Sequence, residues 1–425
     1  MCYRADCARI IFTDKTTGKW WLEPTIGNDY AIRNLIPGHI YDYVVRDSAN
    51  KAVKYGTVTP QGTLRMIDGG GKTFNIRDLG GWQADGGVLR YGMIYRGCEL
   101  NGETYNVVLD NCQRFYFRHV LGIQAEIDLR SYSETQGVAG SAIGDNVEYN
   151  HYIIPAYAVG LDLQDKKYNY TGEYRDVLKK IAHNIDEGKP TYCHCLVGAD
   201  RTGTVMYLIE ALCGVSQSDI DKDYELTSFS GETRLRTNER YQTLVSLIDK
   251  MKGNTLQEKA VSYALKIGVT VEEINMLRNG LIDGEPTEIK DDSVWSDNLF
   301  DAANASFDSY INSSGELADG ESGQLVTDYI PVTQNTVIDL ESDISQSTTP
   351  STGMLALYDS NKNYIAQVAA DNSVWTWNID KSEGSCPVWK VLGWMEPSQV
   401  SDSYYVKLCI SYSKCDELGI KSKQI

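Results

Sequence analysis

Thr191-Tyr192-Cys193-His194-Cys195-Leu196-Val197-Gly198-Ala199-Asp200-Arg201-Thr202-Gly203 is the stretch whose reading decides the fold of this chain's middle part. The β-prone run Thr191 to His194 leads into Cys195, and five residues separate that thiol from Arg201. An apolar run at helical spacing follows (Val205, Met206, Leu208, Ile209, Leu212) and stops at Gly214. A strand, a thiol, a tight loop, an arginine and a helix start, in that order, form a site for a phosphate dianion. Unpaired N–H groups at a helix start point at an anion, and the helix dipole favours negative charge there. The same field favours a thiolate and can bring a cysteine pKa from ~8.5 towards ~3.5–7.5. The guanidinium of Arg201 offers two parallel donors to two phosphate oxygens.

Outward from this loop, length and charge set bounds. A chain of 425 residues has room for several domains. Its net charge of −18 is uneven: +3 over residues 1–66, −7 over 67–283 and −14 over 284–425, where arginine is absent. This balance argues against nucleic acid or an anionic membrane as the partner, while one local positive pocket suffices for an anionic substrate. Ten cysteines at irregular spacing do not make a disulfide framework. No apolar run of ~18 residues is present, so no membrane span is expected, nor does a signal peptide stand out.

Residues 1–66 read as short strands: Ala8 to Phe12, Trp20 to Leu22, Tyr30 to Ile32, an alternating run after the Pro37-Gly38 turn to Val45, and Ala52 to Val58. Leu35-x-Pro37-Gly38-x-x-Tyr41 resembles a fibronectin type III or similar sandwich, and at 66 residues a shortened one. Residues 67–283 alternate strand and helix signals, the pattern of a layered α/β domain. Gly69-Gly70-Gly71-Lys72-Thr73 imitates the end of a nucleotide-binding loop, but Met66 stands where its first glycine belongs and no helix pattern follows, so a flexible linker is expected. Helices are expected over Tyr174 to Ile185, ended by Gly188 and Pro190, then over Ile220 to Phe229, Thr237 to Met251, Leu256 to Ile267 and Val271 to Leu281. Residues 296–425 change texture to Ser, Thr, Asn and Asp between seven alternating runs, from Gly323–Val326 to Tyr404–Ile410, the pattern of a jelly-roll-like β-sandwich. Within it, Asp359-Ser360-Asn361-Lys362-Asn363 starts like a calcium loop but has Tyr364 in place of the required glycine, so a hairpin turn is expected.

The loop His194 to Gly203 resembles the active-site signature of cysteine-dependent protein tyrosine phosphatases. In particular it resembles the bacterial branch that reads His-Cys-x-x-Gly-Lys-Asp-Arg-Thr-Gly, with Ala199 in place of the lysine. Asn75-Ile76-Arg77-Asp78-Leu79-Gly80-Gly81, then Met93-Ile94-Tyr95-Arg96-Gly97, then Glu126-Ile127-Asp128-Leu129-Arg130-Ser131 with Glu134 resemble further motifs of that branch, in order. Asp223-Tyr224-Glu225-Leu226-Thr227 matches downstream. The resemblance implies a phosphatase fold for residues 67–283, so that with the flanking strand patterns the expected architecture is a central α/β phosphatase domain between two all-β sandwich domains.

Cys195 is the candidate nucleophile and Arg201 the equatorial grip on phosphate. Thr202 caps the helix and, by resemblance, eases departure of the Cys195 thiolate. Backbone N–H groups from Leu196 through Ala199, with Gly198 and Gly203 as conformational devices, are expected to converge on the anion. His194 is expected to orient the loop through its backbone. Arg130 is assigned either to an ion pair with Asp128 or to the substrate. Cys193 is expected to pack in the strand rather than resolve an oxidised Cys195. Cys193-His194-Cys195 cannot close a metal tetrahedron, so no metal or other cofactor is expected. The acid that protonates the leaving oxygen has two sources. By resemblance to the branch it is Asp200. By resemblance to the wider family it is Asp162 or Asp165, on a polar segment upstream. Arg234, Arg236 and Arg240 either recognise extra phosphates or form a solvated face. The expected substrate is a phosphorylated protein or a small phosphomonoester. The rivals are an inositol polyphosphate or phosphoinositide phosphatase on the same scaffold and a non-catalytic phosphate-binding or adhesion protein. A carbohydrate or cell-surface ligand for the C-terminal domain, and export of the chain, are expected by analogy alone.

Overall fold

The computed structural model describes residues 9–24, 33–102, 104–162, 169–290, 299–319, 323–333, 336–341, 355–368, 376–377, 383–388, 391, 403–411 and 419–424. The chain divides into two compact units, Met1–Leu161 with Tyr170–Ile289, and Asp162–Asn169 with Lys290–Ile425. The segment expected to stand alone as residues 1–66 therefore groups with the catalytic residues.

In the first unit, strands β1 (Arg9–Asp14), β2 (Trp20–Pro24), β3 (Tyr41–Arg46) and β4 (Ala52–Val58) form one antiparallel sheet in the order β2-β1-β3-β4. Its apolar side holds Ile10, Phe12, Leu35 and Tyr41. Tyr30 to Ile32, read as a strand from sequence, lies outside the described residues. Polar side chains fasten this part of the chain to residues 68–120. Asn34 donates to the Tyr116 hydroxyl at 2.7 Å, Lys19 Nζ reaches the Val120 carbonyl at 2.5 Å, and Arg33 pairs with Asp68. Buried Arg65 pairs with Asp78 at 2.8 Å. The glycine run 69–71 is not a linker: Gln113 Nε2 donates to the carbonyls of Gly69 and Gly70 at 3.0 and 2.8 Å and pins it as a turn.

The catalytic layer is built on a five-stranded sheet. Its strands are β5 (Arg77–Asp78), β6 (Ile94–Gly97), β7 (Ala125–Asp128), β8 (Glu148–His151) and β9 (Thr191–His194), in the order β8-β7-β9-β6-β5. All neighbours are parallel except β5 on β6. Every residue of β6, β7 and β9 is buried, as expected of parallel strands covered on both faces. One face packs on Ile76, Tyr95, Leu109, Phe117, Leu121 and Ile123. Besides a short helical stretch over Asn111–Phe115 and Tyr116–Val120, the helices include α1 (Tyr132–Thr135), α2 (Thr171–Asp186), α3 (Arg201–Leu212), α4 (Gln217–Leu226), α5 (Glu239–Asp249), α6 (Leu256–Ile267) and α7 (Val271–Leu281). Helix α3 is buried at every residue from Thr202 to Leu212, so it runs through the interior, and α6 packs along it. Among the described residues no helix is long and apolar enough to cross a membrane.

The second unit is β-rich. One sheet runs Ser306–Phe307, Gln324–Val326, Tyr404–Ser411, Leu355–Tyr358, Tyr364–Val368, with Ile330–Val332 also paired to Tyr404–Ser411. Another runs Thr376–Trp377, Glu383–Pro387, Thr336–Glu341, Gly419–Gln424. Ile338 and Leu340 of the second sheet share one apolar cluster with Leu355, Leu357, Val406 and Leu408 of the first. Asp359 Oδ1 accepts the N–H groups of Asn361 and Asn363, both at 2.8 Å, and so closes a hairpin turn between two strands.

Candidate active site

Strand β9 ends at His194, and the chain then turns through Cys195 to Asp200 before α3 begins at Arg201. The turn needs Gly198, whose φ is +73° and where a Cβ would meet the Gly97 carbonyl oxygen at 2.1 Å. The loop's carbonyls are tied backwards. Arg96 Nη2 donates to Gly198 O at 2.8 Å, Asn75 Nδ2 to Val197 O at 3.0 Å, and the Glu99 N–H to Leu196 O at 3.2 Å. With these carbonyls held from behind, the N–H groups of Gly198 and Thr202 are directed at Cys195. Arg96 is itself fixed by Asp223, which also accepts Arg77 Nε at 2.7 Å, and all three are buried.

Burial works against a Cys195 thiolate. The charge of Arg201, the Thr202 hydroxyl and N–H, and the Gly198 N–H outweigh it and bring the thiol below its ordinary pKa. Buried Thr202 Oγ1 makes no full hydrogen bond within the described residues, so its influence on Cys195 is that of a nearby dipole. Cys193 differs: wholly buried, its thiol is pushed well above the usual range, which makes it a packing residue. His194 is also buried, with Nε2 on Glu126 Oε1 at 2.9 Å and Nδ1 by the Cys195 carbonyl at 3.1 Å. Burial disfavours its imidazolium, but Asp128 and Glu126 prevail and raise its pKa.

Arg201 Nη1 and Nη2 donate to the two oxygens of Glu134 at 2.6 and 2.7 Å. Glu134 also accepts the Ser131 N–H at 2.7 Å and caps the short α1. The Arg201 hydrogen bonds bring its carboxyl from 4.5 down to about 2. Arg130 lies elsewhere: fully buried, it pairs with Asp128 at 2.7 Å and Glu99 at 3.0 Å and donates to Asn101. It braces β7 and lines no part of the cavity beside Arg201.

That cavity, of about 790 Å³, is walled by Asp200 and Arg201 together with Ser131, Glu134, Tyr157, Arg234 and Arg240. Asp200 receives Arg234 Nε at 2.7 Å and Nη2 at 2.9 Å, and the Tyr157 hydroxyl as well. Burial raises its pKa, but these hydrogen bonds and the charges of Arg234 and Arg201 lower it overall. Asp162 is exposed and groups with the second compact unit, and Asp165 lies outside the described residues. Ala199 is buried, its methyl inside the protein. Tyr157 has no motif around it, and its φ of +61° is a conformation that side chains rarely adopt. Sequence reading missed it for that reason. Among the described residues no group of three or more His, Cys, Asp or Glu side chains could hold a metal ion.

A strand-borne thiol, a tight turn at Gly198, an arginine at the following helix start and a parallel sheet beneath them match the layer expected of a cysteine-dependent phosphatase. The tyrosine phosphatase family model matches residues 71–282, and through that segment the chain belongs to this family. A protein of Cupriavidus necator, provisionally named a tyrosine-protein phosphatase, is 26% identical over 168 residues, 35% of this chain and 59% of that one. The chain thus spans less than two thirds of that relative's length. Among solved structures, the core catalytic domain of the PP-IP phosphatase SIW14 from S. cerevisiae aligns at 13% identity and TM-score 0.26, covering 38% of this chain and 86% of that one. PTPMT1 in complex with PI(5)P aligns at 10% identity and TM-score 0.26, covering 41% and 94%. Likeness at these scores says nothing of substrate.

Proposed function

We propose that this chain is a cysteine-dependent phosphomonoester hydrolase, acting as a protein tyrosine phosphatase through a phospho-Cys195 intermediate. The observation that carries this reading is the Cys195 thiol, brought below its ordinary pKa by Arg201, Thr202 and Gly198. The thiolate attacks phosphorus as the leaving oxygen departs. Arg201 and the loop N–H groups hold the equatorial oxygens, where fixed donors in a partly buried site stabilise developing charge. Asp200, on the cavity wall beside Arg201, gives its proton to the leaving oxygen. Water then attacks phosphorus, Asp200 takes a proton from it, and the Thr202 hydroxyl donates to the departing thiolate. Arg234 and Arg240 on the same wall favour a second reading, an inositol polyphosphate or phosphoinositide phosphatase on this scaffold.

For the second unit we propose a sandwich fold, which the apolar cluster shared by its two sheets supports, with a carbohydrate or cell-surface ligand proposed by analogy alone.

The test is hydrolysis of p-nitrophenyl phosphate. Activity is expected, with complete loss in Cys195→Ser and loss of the basic limb of the kcat/KM profile in Asp200→Asn. Equal rates in wild type and Cys195→Ser refute the enzyme reading and favour a phosphate-binding protein. Faster release of phosphate from phytate than from a phosphotyrosine peptide selects the second substrate reading.

A further inference from the structure

The acid of the proposed reaction is held in a way that opposes its task. Both oxygens of Asp200 accept from Arg234, and Tyr157 donates to one of them. Tyr157 in turn meets the Tyr224 hydroxyl at 2.8 Å, and its N–H is anchored on Thr204 Oγ1 at 2.8 Å. A carboxylate gripped by a bidentate guanidinium is an acceptor and has no proton to give at neutral pH. Arg201, on the same cavity wall, is fixed by Glu134 and in the proposed reaction holds the scissile phosphate. The second hold on the Arg234 side chain is looser, since Nη1 stands 3.8 Å from Glu232 Oε2. Its backbone is anchored, with N–H and carbonyl both on Ser228 Oγ at 2.9 and 2.8 Å, while its guanidinium faces Asp200 and a carbonyl of the adjacent Thr233. Arg240, exposed in the first turn of α5, lines the same cavity. Arg236 is different: it is bound by both oxygens of Glu225, at 2.9 and 2.6 Å, and does not line the cavity.

We propose that Arg234 is a specificity-determining residue that couples substrate charge to the acid: a second phosphate on the substrate, seated against Arg234 and Arg240, draws Arg234 off Asp200 and frees that carboxylate to carry the proton. This rests on the reading of Cys195 as nucleophile and Asp200 as acid. A phosphate dianion presents the same planar fork of acceptors as a carboxylate with more charge, so a guanidinium can transfer from one to the other. Asp200, then held by Tyr157 alone, takes a proton from solvent. It passes that proton to the leaving oxygen as the P–O bond breaks and the S–P bond forms. The attacking water of the second step returns one to it. The substrates favoured over a simple phosphotyrosine are phosphomonoesters whose second phosphate reaches Arg234 and Arg240 while the first is held at Arg201.

The full chain is assayed with phenyl phosphate and with catechol bisphosphate, since a phenol leaves in both. A charge-assisted contact predicts kcat/KM about 10-fold or more higher for the bisphosphate. Arg234→Gln should raise phenyl phosphate turnover, collapse the ratio and move the basic limb to higher pH. Arg240→Gln should lower the ratio without moving the limb, and Arg236→Gln should change neither. Wild-type hydrolysis of phenyl phosphate without a bisphosphate preference, or an Arg234→Gln variant that keeps both ratio and limb, overturns this inference alone. Absence of wild-type hydrolysis of either compound overturns the phosphatase reading beneath it.

Discussion

Glu134 meets Arg201 with both oxygens and the Ser131 N–H with one of them, so one carboxylate sets the direction of the guanidinium proposed to grip phosphate. A side chain oriented before substrate arrives saves ordering cost in the transition state. Glu134→Gln should therefore lower kcat/KM by about 10- to 100-fold, chiefly in kcat, with the fold intact by circular dichroism. An unchanged kcat would show that the pair does not orient Arg201. The same pair predicts a pH dependence of stability. The Glu134 carboxyl falls from 4.5 to about 2 on folding. Its contribution is then complete above pH 4.5 and is lost as pH falls towards 2, because the unfolded chain binds the proton more tightly. The wild-type Tm should drop through that window, and Glu134→Gln should drop less steeply. In the sequence, Glu134 stands out only by its place in a family-like motif, although Ser131-x-x-Glu134 has capping-box spacing. Its pairing with Arg201 is not legible there, because Arg201 lies 67 positions away. The grip of Arg234 on Asp200, across 34 positions, was hidden in the same way.

At the scale of elements, β5, β6 and α4 meet behind the loop through Arg77, Arg96 and Asp223. Burial works against the Asp223 carboxylate, but the two guanidiniums outweigh it and lower its pKa. Removing the shared acceptor would strand two buried cations. Asp223→Ala should cost about 3–5 kcal/mol, read as a lower urea midpoint, because breaking one side of a buried pair leaves uncompensated charge. A midpoint unmoved by the change would mean that the cations find other acceptors. Elements with a strong local pattern were the legible ones. Leu256–Ile267 and Val271–Leu281 stand where the periodicity puts them, each with a Thr-x-x-Glu capping box at its start. The expected helix Ile220 to Phe229 instead begins at Gln217, capped by Ser216, and tightens into a 3₁₀ turn over Thr227–Ser230. In the second unit, short strands such as Ser309–Ile311 and Leu317–Asp319 escaped notice because three residues are too few to show alternation.

For the molecule as a whole, local patterns marked the loop and its sheet, whereas the grouping of the N-terminal strands with the catalytic residues could not be read. That grouping depends on single side chains such as Arg65 and Asn34 reaching partners that no periodicity announces. The loop itself depends on such contacts. Its carbonyls are held by Asn75 and Arg96, from 122 and 102 positions earlier in the chain. Contacts that far apart close late, after local helices have formed. Recovery from denaturant should therefore run on two clocks. The helical signal of α2, α6 and α7 should return first, and turnover of p-nitrophenyl phosphate should lag behind it. Simultaneous return of both would mean that the loop is assembled with the first structure. On the expected order, a newly made chain passes through a helical but chemically idle stage, and its thiol becomes a nucleophile only when the distant parts of the sequence have met.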